Sequence, residues 1–131
     1  MAEIHEDQNN RDRILNIAVD LFARKGYDAV SVREIAEAAQ VTKPVIYYYF
    51  ENKRDLYFSL IREAFDKTNE MYQSALQSED PSDEKLRQLM RAHFKFCVDH
   101  PNRIRVLFDT MAGHSNLADM KTLREEGHKH F

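Results

Sequence analysis

Ser31-Val32-Arg33-Glu34-Ile35-Ala36-Glu37-Ala38-Ala39-Gln40-Val41-Thr42-Lys43-Pro44-Val45-Ile46-Tyr47-Tyr48-Tyr49-Phe50 is the stretch that decides the fold. It reads as two short helices with almost nothing between them. Ser31 and Glu34 have the spacing of a capping box, in which the serine hydroxyl accepts the Glu34 amide proton and the glutamate reaches back. Val30 before the cap and Ile35 inside the helix match a hydrophobic staple, and Val32, Ile35, Ala36 and Ala39 give this helix one apolar face. The helix is expected to end near Ala39. Gln40 and Val41 form the connection. Thr42 or Lys43 then caps the second helix, about Lys43 to Phe50, with Pro44 in its first turn, where a missing amide proton costs little. A helix of two turns does not hold its form alone, so Val45, Ile46 and Phe50 are expected to pack it on its neighbours.

Two helices joined by so tight a turn read as a helix-turn-helix, whose second member lies in the major groove with its N-terminal residues on base edges. The residue types suit that task. Lys43 can donate to guanine O6 and N7 or to a phosphate, and Pro44 and Val45 offer small apolar surfaces to a thymine methyl. Tyr47, Tyr48 and Tyr49 put three phenols on one short helix; phenol hydroxyls donate to phosphate oxygens and so fix register. Helix-packing aromatics are the bland alternative. Three consecutive residues point about 100° apart, however, so at most one or two of them can be buried.

Working outward, a helix from about Arg11 to Lys25 carries the apolar stripe Ile14, Leu15, Ala18, Leu21 and Phe22, and Gly26 sits where a left-handed cap belongs. Residues 1–9 read as a loose polar arm. On the other side, Asn52 caps a helix from Lys53 to Gln77, about 37 Å long. Lys53 stands at its N-terminus and Arg33 within the first turn after Ser31, and the free amides of both starts favour an anion. Residues 78–83 read as a linker. Further helices are expected at about Glu84 to Asp99, through Ile104 to Met111, and from Leu117 to Glu126 after a turn at Gly113 to Asn116. The expected fold is all-α, divided into an arm (1–9), a helix-turn-helix domain (10–56) and a helical regulatory domain (57–131).

Composition bounds the rest. The 131 residues are 43% hydrophobic, enough for a core, and three glycines and three prolines favour a few long helices. A single cysteine, Cys97, excludes an intrachain disulfide and suits a reducing compartment. With no signal-like start and no long apolar run, a cytoplasmic protein with no membrane partner is expected. The net charge of -3 argues mildly against nucleic acid, and the first 55 residues hold eight Lys and Arg against ten Asp and Glu, so the case rests on where charges sit. His93, Cys97 and His100 have a spacing that could share a helix face and a metal, although a small buried thiol beside two histidines is the commoner arrangement; no metal or cofactor is expected. No nucleophile-and-base pattern or phosphate-cradling glycine loop points to an enzyme.

Residues 11–57 resemble the N-terminal domain of the TetR-like (tetracycline-repressor-like) transcriptional regulators. The resemblance lies in Ile14-Leu15, Leu21-Phe22, Gly26-Tyr27, Ser31 to Ala36, Val41 to Phe50 and Asn52 to Leu56, all in register. It implies an all-helical homodimer whose two heads read successive major grooves of a near-palindromic operator on double-stranded DNA. It also implies a helical C-terminal domain that binds a small-molecule effector. By the same resemblance Lys43, Pro44 and Tyr48 face bases, Tyr47, Tyr49 and Lys53 hold phosphates, and Arg33 reaches an outer base or phosphate. With Ser31, Thr42 and Val45 these make up the expected DNA site. An effector site would draw on Phe65, Met90, Phe94, Phe108 and Met111. The chain departs from the family pattern in carrying Gln40 where glycine is usual in the turn. It also ends at Phe131, so a partial C-terminal domain is expected. A helical protein-interaction module without DNA binding is the competing expectation.

Overall fold

The computed structural model describes residues 2–112, and all six elements among them are helices: α1 (Ala2–Lys25), α2 (Val32–Ala39), α3 (Lys43–Tyr49), α4 (Lys53–Gln77), α5 (Ser82–Asp99) and α6 (Pro101–Met111). The expected helix at Leu117 to Glu126 and the turn before it lie outside the described residues.

The arm expected over residues 1–9 is corrected: from Ala2 onward these residues are the first turns of α1. No glycine or proline occurs before Gly26 to interrupt a helix, and acidic residues near a helix start suit its dipole. Gly26 ends α1 in the left-handed region, at φ 81°, with its amide donating to Phe22 O at 2.9 Å.

Ser31 caps α2 as expected, its Oγ accepting the Glu34 amide proton at 3.1 Å. The Glu34 side chain differs from the capping-box expectation, because its carboxylate pairs with Lys25 at the end of α1. The turn after α2 is a left-handed cap: Gln40 has φ 57° and ψ 42°, its amide donates to Glu37 O, and the Val41 amide donates to Ala36 O at 3.0 Å. That double bond pattern satisfies the last carbonyls of α2 in the manner of a glycine cap, so Gln40 forms the turn in the glycine conformation.

Thr42 is the cap residue of α3 through its backbone, with no side-chain cap bond, and Pro44 occupies the first turn. Asn52 caps α4, its Oδ1 accepting the Asp55 amide proton at 2.8 Å, while Asp55 Oδ2 accepts from the Glu51 amide at 2.9 Å. α5 begins earlier than expected, at Ser82, because Pro81 supplies its preset backbone as the cap. α6 follows at once, with Pro101 at its start.

One core joins α1, α2, α3 and the first half of α4. Ile14, Leu15, Val30, Ile35, Ile46, Phe50 and Leu56 are each at most 2% exposed. Val106 of α6 belongs to the same cluster, together with Tyr57, Leu60 and Ile61. The core therefore runs through the domain border expected at 56–57, because α4 is one continuous rod and carries apolar residues of both parts. Polar bonds fasten α6 to α1 along the same seam: Asn102 donates to Asp20 at 2.6 Å and Arg103 to Asn16 at 3.0 Å. α5 contributes no buried residue, and Leu86, Met90, Phe94 and Val98 repeat every fourth position on its exposed side.

Candidate nucleic-acid interface

The side of α3 that faces away from the core is built by simple rotation. Ile46 is buried at 1% exposure, and Phe50 one turn later is buried too. At about 100° per residue, Pro44, Tyr47 and Tyr48 turn away from Ile46, while Lys43 starts the helix on the Ile46 side. All four are exposed, Tyr48 at 73% and Tyr47 at 49%, and Thr42 beside them is exposed as well. Lys43, Thr42 and the two phenols thus form a compact row of donors on a convex ridge, the shape a major groove accepts.

The other expected site residues sit differently. Val45 and Tyr49 are half-buried against the core. Tyr49 points along α1, and its hydroxyl donates to Asp7 Oδ1 at 2.5 Å. That bond, followed by slight burial, raises the ionisation of the phenol above its usual range. Lys53 turns back on its own domain: Nζ donates to Tyr27 O at 3.0 Å and lies 4.1 Å from the centre of the Tyr27 ring. It braces the α1–α2 loop against the start of α4. Arg33 is exposed, with Nε 3.0 Å from Glu37 Oε1 one turn later. Such an exposed pair is worth only about 0.2–0.5 kcal/mol, so a phosphate can take the guanidinium over. Ser31 is exposed with its hydroxyl committed to the α2 cap.

Asp7 and Tyr27 were missed by sequence reasoning. Asp7 fell in the stretch read as a loose arm, and its one sequence signal is its position a helical turn before Arg11. Tyr27 entered only in the Gly26-Tyr27 pair of the resemblance, and nothing local announces that its carbonyl and ring receive a lysine 26 residues away.

Among the expected effector residues, Phe65 is half-buried on the core, whereas Met90, Phe94, Phe108 and Met111 are 46–65% exposed. A cavity of about 320 Å³ between α4 and α5 is lined by others, including Lys67, Glu70, Met71, Gln88, Leu89 and Ala92. His93 is half-buried, with Nδ1 in the interior and unbonded, Cys97 is half-buried and His100 exposed. Among the described residues no three His, Cys, Asp or Glu gather closely enough to hold a metal ion, and no helix is long and apolar enough to cross a membrane.

Residues 14–60, from the buried stripe of α1 to the second turn of α4, match the family described as bacterial regulatory proteins, tetR family. This stretch belongs to the tetR family. The chain is 30% identical over 99 residues to the HTH-type transcriptional activator FasR of Mycolicibacterium smegmatis, covering 76% of this chain and 45% of that protein. It is 28% identical over 93 residues to IcaR of Staphylococcus aureus, a negative transcriptional regulator of the biofilm operon icaADBC, covering 71% of this chain and 48% of that one. The solved structure of the fatty acid degradation regulator FadR from Bacillus halodurans superposes with a TM-score of 0.72 at 28% identity, covering 90% of this chain and 62% of that one. The chain therefore spans about half the length of these sequence relatives. The all-helical tetR-type architecture expected from the sequence is the one present.

Proposed function

We propose that this chain is a sequence-specific DNA-binding transcriptional regulator, an effector-responsive repressor that binds a near-palindromic operator as a homodimer in the cytoplasm. The observation that carries the reading is the α3 ridge. Lys43, Pro44, Tyr47 and Tyr48 are exposed together on a helix held from behind by buried Ile46. The ridge presents hydrogen-bond donors where phosphates and base edges present acceptors, so it favours DNA over a helical interaction module.

In this reading α3 enters the major groove. Lys43 donates to guanine O6 or N7, Pro44 meets a thymine methyl, and Tyr48 reaches a base edge. Tyr47 donates to a phosphate, and Arg33 exchanges Glu37 for a backbone phosphate or an outer base. Thr42 has a hydroxyl uncommitted to its own cap and serves the same backbone. Lys53 acts at second hand, holding the loop and the start of α4 in place.

Residues 10–56 are the head and 57–131 the regulatory part, with an effector site drawing on Phe65, Met90, Phe94, Phe108 and Met111. Because α4 belongs to both, an effector that favours a tilted α4 shifts the population toward a head spacing that no longer fits the half-sites. One relative is named an activator and another a negative regulator; repression is the sense we assign here, through occlusion of the operator.

Footprinting on DNA upstream of the protein's own gene at low salt tests the reading. The expected result is a protected palindrome with half-sites about one helical turn apart. No protection, together with no salt-dependent duplex affinity, overturns it.

A further inference from the structure

α1 runs well past the core. Among the described side chains of α1, Ile14 is the first that is fully buried, and Glu6 to Asn9 ahead of it are exposed. The extension is nonetheless aimed. Arg11 Nη1 lies 2.5 Å from Glu63 Oε1 on α4, and its guanidinium stands 5.4 Å from the centre of the Phe50 ring. Residues 7 and 11 share a helix face, so anchoring Arg11 directs Asp7 toward α3. There Asp7 Oδ1 accepts the Tyr49 hydroxyl proton at 2.5 Å, the length of a charge-assisted O–H···O bond. The Tyr49 ring is set edge-on against Tyr48, with centroids 4.9 Å apart, so the contact adjoins the ridge.

A carboxylate oxygen and a phosphate oxygen are the same kind of acceptor, and a phenol has one proton to donate. While Asp7 holds that proton, the DNA backbone cannot. Glu6 and Asp7 are consecutive carboxylates on the exposed stretch of α1, so a phosphate approaching Tyr49 meets a like charge.

We infer that Asp7 is a built-in competitor of the DNA backbone: it keeps Tyr49 off the phosphates, and full engagement requires exchanging this carboxylate for a phosphate. The inference rests on the DNA-binding reading above. It concerns affinity and not base preference, because phosphate contacts are indifferent to sequence. It also explains why a residue of the three-phenol run is turned from the exposed row without being buried in the core.

The test uses the full chain and a fluorescently labelled mixed-sequence duplex, followed by anisotropy across a salt series. Asp7→Ala is expected to bind about three- to tenfold more tightly than wild type. Asp7→Asn, which keeps an acceptor but drops the charge, gives a smaller gain. Tyr49→Phe binds more weakly, and adding Asp7→Ala to Tyr49→Phe recovers little, because the two act through one bond. Asp7 is exposed, so far-UV circular dichroism of each variant is expected to match wild type. Wild-type binding left unchanged by Asp7→Ala overturns the inference alone. A gain that survives in full without the Tyr49 hydroxyl also overturns it, since that result reports general charge repulsion. No salt-dependent binding in wild type and Asp7→Ala alike overturns both the inference and the proposed function.

Discussion

Tyr57 donates its hydroxyl proton to Thr110 Oγ1 inside the protein, joining the head half of α4 to α6. The direction follows from Thr110, whose own proton goes to Val106 O at 2.7 Å. Both residues are 3% exposed, so this bond lies where head and body share their core. Tyr57→Phe removes the donor and leaves the Thr110 bond to Val106 intact. The expected cost is about 1 kcal/mol, read as a lower urea midpoint with an unchanged slope. An unchanged midpoint would show that the bond adds nothing to stability.

Gln40 holds a conformation that a side chain resists. Left-handed backbone costs a residue with a Cβ about 1–2 kcal/mol, and glycine returns part of that through its freer unfolded chain. Gln40→Gly is therefore expected to stabilise the protein by about 0.5–1 kcal/mol. Gln40→Val, β-branched at positive φ, is expected to destabilise it. Thermal midpoints of the two variants should move in opposite directions.

Ile46 is the fulcrum of α3. Its side chain is 1% exposed among α1, α2 and α4 residues, and truncation to alanine should cost about 2–4 kcal/mol. Because two turns of helix depend on packing for their form, Ile46→Ala should lose duplex binding along with stability. Urea unfolding and anisotropy on the same preparation check both. Retained affinity in a strongly destabilised variant would mean that α3 does not present the DNA-binding residues.

Lys43 and Tyr47 should separate base reading from backbone holding. Both are exposed, so neither substitution should move the urea midpoint. Lys43→Ala should change the base preferred at one position, with about 1–3 kcal/mol of discrimination lost there. Tyr47→Phe should weaken binding evenly across sequences. Selection from a random duplex pool, followed by binding to the winners, distinguishes the two outcomes. A uniform loss in Lys43→Ala would reassign that residue to phosphate.

The Asp7–Tyr49 bond has a pH signature. The folded phenol ionises above its usual range because it donates to the carboxylate. Its contribution to stability is therefore present below the ordinary phenol range and lost as pH rises through the raised folded value. An alkaline absorbance titration should show the Tyr49 ionisation shifted up in wild type and returned toward normal in Asp7→Ala. The same ionisation range in both proteins would mean that the bond does not form in solution.

Most of the head was legible in the sequence. The Ser31 cap, the Asn52 cap, the bounds of α4 at Lys53 and Gln77 and the buried stripe from Ile14 to Phe22 are all where local pattern puts them. Each depends on residues within about one turn of one another, the range over which capping and helical periodicity act. The polar start of α1 was misread because it has no apolar stripe to register, although its residues form helix readily.

The sequence by itself determined that this chain is helical, that α2 and α3 meet at a tight turn, and that Tyr47, Tyr48 and Tyr49 cannot all be hidden, since rotation along a helix forbids it. Tertiary structure alone decided that Tyr49 meets Asp7 across 42 positions, that Lys53 serves Tyr27, that Glu34 takes Lys25, and that Val106 closes the core of the head. Those partners belong to different elements, from nine to 42 positions apart in the three polar pairs. Their meeting is set by the angles at which rods pack, which no short-range pattern encodes.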